Sequence, residues 1–239
     1  MAPPHPQTRT ARLLIAIDGP AAAGKSTVAK RLASELGLPY LDTGAMYRAV
    51  ALLALREGLE EPLDRVGAAR VIELMERHRI TVEAGDGGTS VCVDGEDVGP
   101  EIRTPECSLM ASAVSALPEV RSALVPLQRE LGREKGGVME GRDIGTVVFP
   151  DAALKIFLTA SVDERAQRRH RDLAAENVEA RFEEVREQQQ QRDLQDTSRA
   201  DSPLQVAPGS VVVDTTGSTL DEVVERLMRE VADHLSKSA

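Results

Sequence analysis

The run Leu13-Leu14-Ile15-Ala16-Ile17 is apolar at every position, the pattern of a short strand buried on both faces. From Ser26 the spacing changes to Val28, Leu32 and Leu36, the period of a helix with one apolar side. Leu38-Pro39-Tyr40-Leu41 predicts a second short strand. Asp42 or Thr43 can then cap a helix that runs to Arg56, with Gly58 as its stop. Val66, Ala69, Ile72 and Leu74 to Met75 mark an amphipathic helix over about 64–77. Alternation at period two follows in Ile80-Thr81-Val82-Glu83 and in Val91-Cys92-Val93-Asp94-Gly95. The Gly85-Asp86-Gly87-Gly88 turn between them predicts a small β insertion over about 79–100. Helix returns over 101–135, its turns limited or opened by Pro105, Pro118 and Pro126. Val138-Met139-Glu140 and Leu154-Lys155-Ile156-Phe157-Leu158 read as strands. A charge-rich helical stretch extends from Asp163 to about Arg192, Val211-Val212-Val213-Asp214 is a last strand, and a helix closes the pattern over 219–235. Strands alternating with helices imply an α/β fold with a doubly wound parallel sheet in three layers.

Composition narrows the partners. With 239 residues and 41% apolar content the chain suits one large globular domain with insertions, or two small ones. It has no Trp, two Tyr and three Phe, so Leu, Val, Ile and Ala must build the core, and there is no aromatic platform for stacking single-stranded bases. The net charge of −10 also argues against a nucleic-acid polymer as partner. Cys92 and Cys107 form no C-x-x-C pair, and His5, His78, His170 and His234 lack ligand spacing, so neither a zinc site nor a disulfide framework is expected. No apolar run approaches the roughly 18–20 residues of a membrane span. Met1-Ala2-Pro3-Pro4-His5-Pro6 lacks the apolar core of a signal peptide, so the expectation is a cytoplasmic protein with a disordered arm over residues 1–11. Five of the 29 cations are lysine, and many of the arginines lie between Arg121 and Arg199. Arginine forks grip phosphate oxygens in pairs, so this bias suits a clamp for small anions; Glu/Arg pairing along exposed helices is the alternative.

The candidate chemistry begins at Gly19-Pro20-Ala21-Ala22-Ala23-Gly24-Lys25-Ser26, a G-x-x-x-x-G-K-[ST] phosphate loop with the predicted strand before it and the predicted helix after it. The glycines let backbone N–H groups turn inward around a phosphate, Lys25 reaches the β/γ oxygens, and Ser26 offers its hydroxyl to Mg²⁺. A bound nucleoside triphosphate follows, and with it a P-loop NTPase-type sheet. Gly141-Arg142-Asp143 lies at the carboxyl end of a predicted strand, where ligands of open α/β sheets bind. Glu164-Arg165-Ala166-Gln167-Arg168-Arg169-His170-Arg171 and Arg192-Asp193-Leu194-Gln195-Asp196-Thr197-Ser198-Arg199 bracket the long polar helix. They read either as a solvated charged hairpin or as a lid that carries arginines over transferring phosphates and excludes water.

At these residues the chain resembles the bacterial cytidylate kinase family, over about 12–235. The resemblance is carried by Ile17-Asp18-Gly19-Pro20 with the loop to Thr27, by Leu41-Asp42-Thr43-Gly44-Ala45-Met46-Tyr47-Arg48, and by Asp94-Gly95-Glu96-Asp97-Val98 followed by Ile102-Arg103-Thr104. It continues through Glu140-Gly141-Arg142-Asp143-Ile144-Gly145-Thr146-Val147-Val148-Phe149-Pro150-Asp151 and Arg192 to Arg199. The β insertion resembles the enlarged monophosphate-binding region that separates this family from adenylate kinases. The resemblance implies a nucleoside monophosphate kinase over 12–239, with a core (12–42, 137–160, 204–239), a monophosphate-binding region (43–136) and a helical lid (161–203). Its substrates would be ATP, with Mg²⁺, and CMP or dCMP, and the molecule would be a monomer. By the same resemblance Thr43, Tyr47 and Arg48 line the monophosphate site, and Arg142, Arg192 and Arg199 hold the acceptor phosphate or the developing charge. Ser112, Arg121 and Asp143 recognise cytosine, Asp196 contacts the sugar, and Arg165, Arg168 and Arg169 belong to the lid, the last two facing ATP. Thr43 stands where many members have Ser, which keeps the hydroxyl, and Gln195 stands where some have Arg. An acceptor phosphate is already largely ionised, its second pKa being about 6, so Lys25, Mg²⁺ and the arginines would act by position and charge without a general base. A kinase for a hydroxyl-bearing metabolite is the competing enzyme reading, with Asp42 as candidate base. A GTP-dependent switch is disfavoured, since Asn177 is the single asparagine and no Asn-Lys-x-Asp motif exists.

Overall fold

The structure, a computed structural model, describes residues 13–85, 88–175 and 177–237. The expected arm over 1–11 and the turn residues Asp86 and Gly87 lie outside the described residues. In chain order the first elements are β1 (Leu14–Asp18), α1 (Lys25–Leu36), β2 (Tyr40–Asp42), α2 (Thr43–Arg56) and α3 (Arg65–Arg77). They are followed by β3 (Ile80–Gly85), β4 (Gly88–Val93), β5 (Glu96–Asp97), a 3₁₀ turn at Glu101–Arg103, α4 (Pro105–Ser115) and α5 (Pro118–Lys135). The remainder comprises β6 (Gly137–Glu140), a π-helical turn at Ile144–Val148, β7 (Leu154–Thr159), α6 (Val162–Ala175), α7 (Phe182–Ser198), β8 (Val211–Asp214) and α8 (Leu220–Lys237).

The chain forms two compact units. One is discontinuous, made of Leu13–Gly37 and Val138–Ala239, and the other contains Leu38–Gly137. In the discontinuous unit the strands lie in the order β6-β1-β7-β8. β1 pairs with β7 in parallel, Ile15 opposite Leu154, and β7 with β8, Ile156 opposite Val211. Every residue of β1 is buried, the apolar Leu14 to Ile17 as their pattern requires and Asp18 with them. Helices connect the parallel strands, α1 packs with α8, and α6 packs with α7. α1 ends where Gly37, at φ +63°, turns its N–H back to the carbonyls of Ala33 and Ser34.

The other unit is centred on α2, whose residues Ala45 to Ala54 are buried except Arg48. Val71 and Leu74 of α3, Val91 and Val93 of β4, and Met110 and Val114 of α4 pack around it. Asp42 caps α2 by accepting from the N–H of Ala45 at 3.2 Å, and Asp64 caps α3 through Gly67 at 2.8 Å. β3, β4 and β5 form a separate antiparallel sheet.

The expected helix over 101–135 is divided into the 3₁₀ turn, α4 and α5. Pro105 and Pro118 each occupy the start of a helix, where the missing N–H costs nothing, whereas the exposed Pro126 lies inside α5 without ending it. The expected stretch from Asp163 to Arg192 is likewise two helices, separated near 178–181, and α7 continues to Ser198. Polar sequence on both sides of that break hides it from a periodicity reading. β5 and the π-helical turn were not among the expected elements.

Candidate active site

The end of β1 runs directly into the phosphate loop. Gly19 has φ +149°, and a Cβ there would meet the carbonyl oxygen of Leu158 in β7 at 2.0 Å. Ala22 at φ +58° and Gly24 at φ +88° supply the left-handed turns that curl the loop. Lys25 opens α1 and folds back over the loop, its Nζ donating to the carbonyl oxygen of Pro20 at 2.7 Å. Burial, then the neighbouring Arg142, lowers the Lys25 pKa to about 7, with Arg192 adding to the fall and Glu140 and Asp196 opposing it. Ser26 and Thr27 are exposed in the first turn of α1. Among the described residues no three His, Cys, Asp or Glu side chains gather as a metal site. The exposed hydroxyl of Ser26, in the first turn after the loop, is an oxygen donor of the kind that suits a hard cation.

A carboxylate surrounded by arginines lies in the same unit. Asp196 of α7, 1% exposed, accepts from Nε of Arg142 at 2.9 Å through one oxygen and from Arg199 through the other. Burial pushes its pKa up, but Arg142, Arg199 and Arg192 outweigh that and hold it below the usual carboxylate range. Arg192 approaches the group from α7. Burial and the charge of Arg142 lower its pKa to about 10, and its buried Nε has no hydrogen-bond partner among the described residues. Lys25, Arg142, Arg192 and Arg199 thus stand close together, with Glu140 and Asp196 among them. Four cationic side chains so gathered, with a donor unspent, suit a polyanion.

The arginines placed in the lid by resemblance have different surroundings. Arg165 is 3% exposed and fully engaged: Nε donates to Ala160 O at 3.0 Å, and the two terminal nitrogens donate to Asp193 at 2.9 and 2.6 Å, one of them reaching Ala21 O at 3.4 Å. It fastens α6, α7 and the phosphate loop. Arg168 donates to Glu164 at 3.0 Å and to the hydroxyl and carbonyl of Thr215 at 2.9 and 2.8 Å. It lies beside the loop, since a Cβ on Gly24 would be 3.7 Å from its guanidinium. Arg169 is half-buried and close enough to Arg192 to depress its pKa. Asp143 is buried after β6, and its carbonyl accepts from Val147 and Val148. Asp18, at the end of β1, has its pKa raised to about 6 by burial. The folded chain therefore binds that proton more tightly than the unfolded chain, and the contribution to stability is lost as pH rises through about 6.

In the other unit Asp42 accepts from Arg48 at 2.6 Å as well as capping α2, while its own N–H donates to Thr89. A carboxylate so engaged is poorly placed to serve as the base required by a hydroxyl acceptor. Tyr47 lies under Arg121, whose guanidinium carbon is 5.8 Å from the ring centroid. Thr43 is buried at the start of α2, and Ser112 is buried in α4, its carbonyl accepting from Ser115. Each unit therefore gathers part of the expected set, Lys25 with Arg142, Arg192, Asp196 and Arg199 in one, Tyr47 with Arg121 in the other. Asp18, Glu140, Asp193 and Thr215 were not singled out from the sequence. The first two carry a visible signal, a carboxylate ending a strand that is otherwise wholly apolar.

Residues 15–233 match the family model described as "Cytidylate kinase". The chain is 49% identical over 217 residues to "Cytidylate kinase" of Caldanaerobacter subterraneus subsp. tengcongensis, covering 91% of this chain and 93% of that protein. It is 50% identical over 214 residues to "Cytidylate kinase" of Carboxydothermus hydrogenoformans, covering 90% and 95%. It is also 48% identical over 239 residues to "Bifunctional pantoate ligase/cytidylate kinase" of Synechococcus sp. (strain JA-3-3Ab), covering 99% of this chain but spanning only 43% of that longer relative.

Proposed function

Because this chain belongs to the cytidylate kinase family, we propose that it transfers the γ-phosphoryl group of ATP to CMP or dCMP, giving ADP and CDP or dCDP. The observation that carries this reading within the structure is the convergence of Lys25, Arg142, Arg192 and Arg199 beside the phosphate loop. An attacking phosphate oxygen needs no deprotonation at neutral pH, so these side chains have to orient two polyanions and neutralise the charge that would keep them apart. Loop N–H groups and Lys25 hold the donor phosphates, and Arg168 and Arg169 flank the nucleotide. Arg142, Arg192 and Arg199 receive the acceptor phosphate, and the exchange of the Asp196 contacts for phosphate contacts keeps their charge compensated. Thr43, Tyr47 and Arg48 line the monophosphate, Ser112, Arg121 and Asp143 read the cytosine edge, and Asp196 takes the sugar. Ser26 is the side chain that would hold a magnesium ion, which would supply positive charge to the transferring phosphates. The enzyme acts as a cytoplasmic monomer.

The test is a coupled ADP-release assay with Mg²⁺ and ATP, comparing CMP, dCMP, UMP, AMP and no acceptor. Turnover favouring CMP and dCMP is expected, and ATP binding without release for any monophosphate would overturn the reading. Base recognition has its own test in Arg121→Ala. Loss of a charged hydrogen-bond partner should lower kcat/KM for CMP by roughly tenfold or more while leaving UMP much less affected. Equal losses for the two acceptors would remove Arg121 from base reading.

A further inference from the structure

Asp18 is 3% exposed and ends β1 one residue before the phosphate loop. One carboxylate oxygen accepts from the N–H of Ile144 at 2.8 Å and the other from the N–H of Gly145 at 2.7 Å, the first two residues of the π-helical turn. The preceding residue, Ile17, accepts from the N–H of Gly141 through its carbonyl oxygen at 3.0 Å. Gly141-Arg142-Asp143 is therefore fastened on both flanks to successive residues of one strand, and Arg142 reaches Asp196 from the middle of the tripeptide. Burying a carboxylate is costly, and Asp143 adds repulsion; the two N–H groups and Lys25 offset it only in part. A purely structural turn could satisfy those N–H groups with carbonyls or water at less cost.

We propose that Asp18 is a positioning residue for phosphoryl transfer, its carboxylate registering Arg142 against the phosphate loop so that acceptor and donor phosphates meet in line. The inference rests on the kinase reading above. Both anchors belong to the strand that leads into Gly19, so the loop and the arginine share one rigid support. Displacement of a positioned group by about 1 Å can cost roughly 100-fold in rate, with substrate binding little changed.

Asp18→Asn keeps the shape but leaves one acceptor oxygen and turns an amide toward the second N–H. The expected result is a kcat lower by roughly 10- to 100-fold with KM for ATP and CMP within about threefold. In an Arg142→Ala background the same substitution should cost less than about twofold, because the group through which it acts is gone. A kcat within about threefold of wild type, or losses that multiply independently in the double variant, overturns the proposal. Should Asp18→Asn not yield folded protein, Asp18→Ser is taken through the same cycle and judged by the same outcomes. Wild-type protein that releases ADP with no monophosphate brings down the kinase reading and this inference with it. An active wild type matched by an equally active Asp18→Asn brings down the positioning role alone.

Discussion

Lys25→Met is expected to lower kcat by roughly 1,000-fold or more while the nucleotide-free protein melts no lower than wild type. The two halves of that result have one cause. Lys25 is buried near Arg142 and Arg192, and its pKa falls from 10.5 to about 7. Between those values the unfolded chain holds a proton that the folded chain does not. The penalty is therefore fully present below pH 7 and fades as pH rises to 10.5, so this group makes the fold more stable with rising pH across that window. Shifts of this size correspond to a few kcal/mol, more than the roughly 1 kcal/mol that the hydrogen bond to Pro20 contributes. Methionine removes the charge and keeps the apolar stem. Binding of ATP phosphates reverses the balance and restores the charge, so nucleotide binding near pH 8 should take up a large part of one proton in wild type and much less in Lys25→Met. Calorimetric titration in buffers of different ionisation enthalpy reads the uptake, and single-turnover kinetics reads the transfer rate. A variant that turns over within about tenfold of wild type would remove Lys25 from the chemistry.

Gly19→Ala is expected to be among the most damaging single-methyl additions in the chain. Its Cβ would lie 2.0 Å from the carbonyl oxygen and 3.0 Å from the carbonyl carbon of Leu158, both backbone atoms of β7, and φ +149° is strained for any side chain. Neither partner can rotate away. A cost of about 4 kcal/mol or more is expected, which for a chain of this size lowers Tm by roughly 8–16 °C. Gly24→Ala is the control. Its Cβ would find Arg168 at an ordinary 3.7 Å, so φ +88° alone is at stake; the expected loss is about 1–2 kcal/mol, with nucleotide affinity falling because the loop no longer curls. Thermal melting of the two variants side by side would expose an error: a Gly19→Ala protein within about 2 °C of wild type contradicts the packing described.

The phosphate loop, its strand and its helix are legible in the sequence because their determinants are local. Glycines stand at two of the loop's three positive-φ positions, Gly19 and Gly24, with Ala22 at the third; Lys25 follows the second glycine, and an apolar run precedes the first. The same holds for the Asp42 cap and for the β3-β4 hairpin. What escaped is non-local. Asp18 meets its N–H partners 126 and 127 residues away, and the chain around Ile144 has no period that announces a π-helical turn. Arg165 has the composition of a surface helix residue, and only its pairing with Asp193, 28 residues on, shows it buried. The separation of α6 from α7 leaves no apolar trace, because both helices are polar on most of their surface.

The order of synthesis adds a constraint of its own. β1 lies between β6 and β7 in the sheet of its unit, yet both neighbours are encoded downstream of the whole Leu38–Gly137 segment. At about 5–20 residues per second, the roughly 120 residues from Asp18 to Val138 take about 6–24 s to emerge from the ribosome. Throughout that interval Leu14-Ile15-Ala16-Ile17 has no strand beside it and the nucleotide loop has no floor, because the Leu158 carbonyl against which Gly19 packs has not been made. The first-made strand is thus among the last to be satisfied, and a nascent chain that stalls before Thr159 offers an adhesive apolar segment to its neighbours while being unable to bind nucleotide.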